Sequence, residues 1–307
     1  MDTAQFVSLL TNVLMLVFLW SMNLGQGMSF TLQQIATPFK KPGVILLAVL
    51  LNSVLIPLLY WGLTLVLPMN PDYAIGFMLV GFAAAAPFAI KAAAVEKGDV
   101  PLMIGLVVLL GALNVVVIPL WSALLMPAGT TVDVVNIAVT LVVLVLAPLA
   151  LGLLIRARWP EQAKEWAPDA NKISTLMLLL VIALMVVTSW QTIVSILGAW
   201  VIIGGLIAIA ISMVVGYFFG GKNPASRRTV ATVSGMRAVG PALAIAASAF
   251  AGNPDVTAVV VVLGILSFVP FAVAIEWGKR LDGAEDTAAA APAHTPVATK
   301  PGARKRA

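Results

Sequence analysis

The chain contains no cysteine, a single histidine and little charge: Lys, Arg, Asp and Glu make up 10% of its 307 residues. The lack of cysteine excludes disulfides, thiol nucleophiles and thiolate metal sites. His294 lies in the C-terminal tail, away from every apolar run, so it cannot relay protons inside one. A soluble domain of this length carries about a quarter charged residues, and that class is excluded too. What is present is apolar, with 61% hydrophobic residues and a mean hydropathy of +1.05. No phosphate loop, dinucleotide fingerprint or metal-ligand cluster appears, so no cofactor, no metal and no enzymatic activity are expected. The net charge of +5 does not point to nucleic acid, because of where the charges fall.

A helical span takes about 20 mostly apolar residues. Nine such segments are expected at approximately 6–27, 43–67, 73–96, 100–126, 132–155, 173–190, 198–220, 228–251 and 256–277. Pro68, Pro71, Pro127, Pro160, Pro168, Pro224 and Pro254 interrupt the connections. Residues 1–281 therefore read as one transmembrane carrier domain and 282–307 as a disordered cytoplasmic tail, which has nothing to bury. With nine spans, Lys40, Lys41, Lys97, Arg156, Arg158, Lys164, Lys172, Lys222, Arg227, Arg228 and the basic tail all fall on one side. The other side carries no Lys or Arg, which places the N-terminus outside and the C-terminus in the cytoplasm. An integral plasma-membrane protein follows, of the bacterial inner-membrane kind, with the lipid bilayer as partner.

Two basic residues remain inside spans, Lys91 and Arg237, and no acid lies well inside any span to pair with them. Intramembrane charges mark functional sites by default. The alternatives are bland: Lys91 snorkelling to the nearer surface and Arg237 tethered to main-chain carbonyls. Both sit in segments expected to be broken, the third by Pro87 and the eighth by Gly235, Gly240 and Pro241. Broken helices crossing at mid-membrane, five spans apart, fit an inverted-repeat transporter with its site at the crossing. Restarted half-helices would add their positive N-terminal ends to that site.

The stretches GFAAAAPFAIKAAAVEKGDVPL (81–102) and RRTVATVSGMRAVGPALA (227–244) resemble the two crossover segments of the bile acid/sodium symporter family. MNLGQGMSFTLQQI (22–35), LNSVLIP (51–57) and APLALGLLIR (147–156) are similar to further elements of it. The resemblance implies ten spans as two inverted five-helix repeats, and with nine spans expected here the first helix would be the one missing. It also implies sodium ligands that this chain lacks. The family's Ser-Asn pair falls on Ala89 and Ile90, its acid on Val233, its Gln-Asn pair on Arg237 and Ala238, and its hydroxyls on Met103 and Val107. Only Asn52 keeps a suitable oxygen.

The expected function is therefore secondary transport of a small or amphipathic organic anion by alternating access, independent of sodium. Arg237, Lys91, Asn52, Ser234, Gly235 and Gly240 are the expected substrate-binding residues. A further possibility is that Lys91 and Arg237 take the place of the lost sodium ions. The rival readings are a sodium symporter with rebuilt sites and a non-transporting anion receptor. Substrate, direction of flux and oligomeric state have no signature in the sequence.

Overall fold

The structure, a computed structural model, describes all residues except 1–2, 37–38, 40, 128–129, 131–132, 189, 198–199, 251–252 and 291–307. Lys40, His294 and the basic residues of 300–306 thus lie outside the described part, which contains helices and no strand.

Proline starts many of the helices instead of merely separating them. Asn70, Asn223 and Asn253 each precede a proline and cap the following helix, the side-chain oxygen accepting the amide two residues on at 2.9–3.1 Å. The proline needs no partner in the first turn, where its fixed φ suits the helix. The helices so begun are α5 (Pro71–Phe82), α13 (Pro224–Gly235) and α15 (Pro254–Leu266). The others are α1 (Thr3–Ser29), α2 (Leu32–Ala36), α3 (Pro42–Leu50), α4 (Ile56–Val66), α6 (Ala89–Val95), α7 (Val100–Leu125), α8 (Val134–Leu141), α9 (Ala147–Arg158), α10 (Pro160–Thr188), α11 (Trp190–Leu197), α12 (Val201–Phe219), α14 (Val239–Ala249) and α16 (Val269–Ala290).

Two π-helical turns, Leu51–Leu55 and Val142–Leu146, join α3 to α4 and α8 to α9. Each precedes a proline that cannot donate to the carbonyl four residues back. Pro57 leaves the Ser53 carbonyl, which accepts from Trp121 Nε1 at 2.7 Å, and Pro148 leaves that of Leu144, which accepts from Asn23 Nδ2 at 3.3 Å. The helices stay continuous because neighbouring side chains take up the freed groups.

Among the described residues eight stretches are long and apolar enough to cross a membrane, and the shorter α5 with α6 covers the third expected segment. Large apolar side chains such as Leu46, Val66, Val135 and Phe218 are more than two-thirds exposed, as a lipid-facing surface requires. Three expectations are corrected. The polar stretch 160–172 is not a loop: α9 and α10 are separated by Trp159 alone, and α10 runs helical through Pro168. The ninth segment is broken at Ser267–Phe268, between α15 and α16. Finally, α16 continues to Ala290, into the stretch expected to be unstructured, because its alanines are strong helix formers.

Helix α1 packs on α9 and α10, which also touch each other. At the α1–α9 crossing a Cβ on Gly27 would lie 2.3 Å from the Leu149 carbonyl, and one on Gly152 equally close to that of Leu24. Only glycine permits so close an approach. The broken segments lie deeper. In Pro224–Ala249, 89% of the apolar window is buried, against 17% for Pro160–Leu184 in α10.

Three of the links that carry basic residues meet at Asp99. Asp99 caps α7 by accepting the Leu102 amide at 3.1 Å, and it also accepts Lys41 Nζ at 2.6 Å and Ser226 Oγ at 3.1 Å. Three links are thereby tied to one carboxylate. Burial pushes its pKa up, but these donors outweigh burial and hold it below the ordinary aspartate value. Its contribution to stability is therefore complete above about pH 4 and is lost as pH falls through the depressed value. Asp99→Asn should lower the melting temperature at neutral pH, by a loss of about 1–2 kcal/mol given the partly exposed lysine. Wild type and variant should converge in acid. Equal melting temperatures at pH 7 would remove this role.

Candidate functional site

The two broken segments meet and satisfy each other. Residues 83–88 separate α5 from α6, and 236–238 separate α13 from α14. The Ala238 amide donates to the Ala83 carbonyl at 2.9 Å and the Ala86 amide to the Met236 carbonyl at 3.2 Å. Asn114 on α7 holds the Ala84 residue between them, its oxygen accepting the amide and its Nδ2 donating to the carbonyl, both at 3.0 Å. Ala85 takes a left-handed φ of 62°, a strained backbone for a residue with a Cβ. Non-helical backbone survives at this depth because each of these groups finds a protein partner.

Arg237, 1% exposed, belongs to this crossing. Its guanidinium donates to the carbonyls of Gly81 at 2.5 Å and Val80 at 3.4 Å, and to Asn52 Oδ1 at 3.1 Å. Val80 and Gly81 lie in the last turn of α5, where the dipole is negative and, of the two, only the Val80 carbonyl has a main-chain partner, the Ala83 amide at 3.2 Å. The cation therefore sits on partial negative charge and needs no carboxylate. Asn52 is oriented in turn, its Nδ2 donating to the Ala48 carbonyl and to Ser234 Oγ, both at 3.0 Å. Gly81 leaves room for the Tyr60 ring, which a Cβ would approach to 2.3 Å.

The positions read as the family's sodium ligands also include buried apolar side chains. Ala89, Met103, Val107 and Val233 are all at most 1% exposed.

Lys91 has different surroundings. It is exposed on α6, with Nζ 5.5 Å from the centre of the Phe88 ring, and it borders a cavity together with Met22, Gln26, Asn171, Ser174 and Thr175. That cavity shares Met22, Pro87, Phe88, Ser174 and Thr175 with a deeper one. The deeper part is almost wholly apolar, walled by Phe18, Leu178, Ile182, Leu243, Val261 and Phe268 among others. It lies against the first turn of α14, where Gly240 lines it, and against the break between α15 and α16. Arg237 also contributes to its wall, with its guanidinium hydrogen-bonded to α5 and Asn52.

Of the six expected site residues, Lys91, Arg237 and Gly240 border this double cavity, while Asn52, Ser234 and Gly235 are not among its lining residues. Sequence reasoning missed the apolar wall contributed by α1, α10 and the α15–α16 break. Pro270, in the first turn of α16, was a usable signal for that break.

Arg237→Gln leaves the Gly81 carbonyl without the guanidinium, while that of Val80 keeps the Ala83 amide, and an unpaired buried carbonyl costs about 1–3 kcal/mol. Purified R237Q should therefore melt well below wild type. An unchanged melting temperature would show that the guanidinium does not hold the crossing.

Compared with protein-family models, the sequence matches that of the sodium bile acid symporter family over residues 15–196, more than half of the chain. The comparison with curated proteins finds no match.

Proposed function

The chain belongs to the sodium bile acid symporter family, and on that premise we propose that it is a secondary transporter of an amphipathic organic anion, working by alternating access without sodium. The observation that carries this reading is the double cavity: an apolar inner chamber opening onto a polar outer part with Lys91 beside it. An apolar body with an anionic end fits the chemistry of such a site, a mostly apolar wall with a few polar groups. Among the described residues no side chain is hydrogen-bonded or ion-paired to the Lys91 ammonium, so its charge is available to a carboxylate or sulfonate.

Arg237 takes the complementary role. Each of its three nitrogens donates to α5 or Asn52, and it stands where the family's pattern would place oxygen ligands. We assign it to holding the two crossing segments together, as a fixed replacement for a metal ion. Asn52 and Ser234 support it by their mutual hydrogen bond, so they belong to the same scaffold. Gly235 gives close packing there, a Cβ being 2.6 Å from Met213 Cγ, and Gly240 shapes the inner chamber. The helices α1, α9 and α10 would move relative to the crossing, about the cavity between them. The basic end is taken as cytoplasmic.

Taurocholate, an amphipathic bile-acid sulfonate, serves as the probe. Lys91→Gln should weaken its binding to the purified protein roughly ten- to a hundredfold, the usual loss for a charge-assisted contact. Lys91→Arg should retain most of the affinity, and neither change should move the melting temperature. Sodium, compared with potassium, should not stabilise the protein, whereas a bound ion would raise stability with its concentration. Unchanged affinity in K91Q would reject Lys91 as the anion's partner. A saturable sodium-specific rise in melting temperature would restore the symporter reading, and binding without flux in proteoliposomes would indicate a receptor.

A further inference from the structure

Glu96 is the one acid among the described residues that is fully buried, at 0% exposure. The C-terminal cap of α6 fixes it in place: Lys97 adopts a left-handed φ of 51°, and the Gly98 amide donates to the Ala93 carbonyl at 2.8 Å. Its Oε2 accepts Thr232 Oγ1 from α13 at 2.5 Å. Its Oε1 is buried and has no hydrogen-bond partner among the described residues. Gly98 leaves space beside that oxygen, since a Cβ there would lie 2.8 Å from it. A carboxylate removed from water with a single hydroxyl donor is unfavourable, while the neutral acid is tolerated far better.

The elements packed on α6 are α7, α13 and α16, and none supplies Glu96 with an ion-pair partner. Arg228 on α13 donates to the main-chain carbonyls of Glu96 at 2.9 Å and Lys97 at 2.7 Å, not to the carboxylate. Arg227 lies over the Tyr217 ring and donates to the Tyr217 carbonyl. On α16, Asp282 pairs with Lys97 and Arg280 with Glu276, while Lys279 forms no ion pair with Glu96. Asp99, which caps α7, is paired with Lys41, and α7 itself has no charged residue. Lys91, on α6 itself, borders the cavity.

We propose that Glu96 takes up and releases one proton in each transport cycle, making the proton the coupling ion of this carrier. The inference rests on the transport reading above. The neutral acid suits the dry contact between α6 and α13, whereas the ionised acid needs water and favours separation of the two. Lys91 is carried on the same short helix, so a shift of α6 moves the proton site and the anion site together. One proton taken up with one monovalent anion makes the step electroneutral.

Two measurements on the purified full-length protein test this. Infrared difference spectra titrated between roughly pH 5 and 9, which brackets ordinary and buried carboxyls, should show a protonated-carboxyl band that vanishes as pH rises. That band should be missing from Glu96→Gln. A band that does not titrate, or that persists in E96Q, overturns the assignment. The second measurement uses voltage-clamped proteoliposomes and tritiated taurocholate, a sulfonate that cannot itself carry the proton. An inward proton gradient should drive accumulation up to about tenfold per pH unit, the limit for one coupled proton. E96Q should still exchange taurocholate but no longer accumulate it. Full accumulation by E96Q, or accumulation that follows a sodium gradient, overturns proton coupling. Failure of taurocholate to move under any gradient counts against the transport reading, and the carboxyl band then decides Glu96 alone.

Discussion

The structure depends on the Arg237 guanidinium lying against the last turn of α5. A charge buried to 1% exposure is costly unless it is compensated, and here compensation comes from main-chain dipoles. The Gly81 carbonyl has no helical partner because α5 stops at Phe82, while that of Val80 also accepts the Ala83 amide that caps the helix. The break thus creates both the strain and the means of holding it. The bonds between 83 and 238 and between 86 and 236, with the Asn114 clamp on Ala84, satisfy the rest of the main chain.

A tethered guanidinium differs from a metal ion in one respect that matters for mechanism. A bound ion can leave when the crossing opens, and its gradient can then drive a cycle. Arg237 cannot leave. If it holds the crossing as proposed, the energetic link to sodium is removed while the scaffold around the former site persists. Any concentrative transport must then draw on another gradient, and a buried acid at the far end of α6 is a candidate for that link. On the same proposal anion recognition falls to Lys91, which lies by the cavity, near aromatic and hydroxyl-bearing side chains.

Much of this architecture was legible in the sequence. Scarce charge and long apolar runs gave the helical membrane class, and Pro87 and the Gly240–Pro241 pair marked the two broken segments. The clustering of Lys and Arg put the links at 41 and 97–99 and the end of the last span on one side, and the Lys41–Asp99 and Lys97–Asp282 pairs join those three. The direction of the Arg237 side chain was not legible. Residue type places a cation at the crossing, but only the backbone geometry of α5 shows that carbonyls fill its coordination. The extent of α10 was hidden because its first turns are polar, and polarity alone does not separate a loop from an exposed helix. The apolar chamber was hidden for another reason: its walls come from α1, α10 and α14 to α16, far apart in sequence and individually indistinguishable from lipid-facing residues.

Glu96 shows how the position of a charge along a span can mislead. Counted along the chain, it sits at the end of a segment, where an acid is expected to meet water. A broken helix changes that relation, because α6 is only seven residues long and ends against α13. Its terminal residue is thereby pressed into a neighbouring helix, and the cap that ends α6 turns the carboxylate toward Thr232. Burial in such a fold follows the crossing of half-helices more than distance from a segment's end. The residues at the ends of broken helices are thus the ones whose charge state can be felt by the whole crossing.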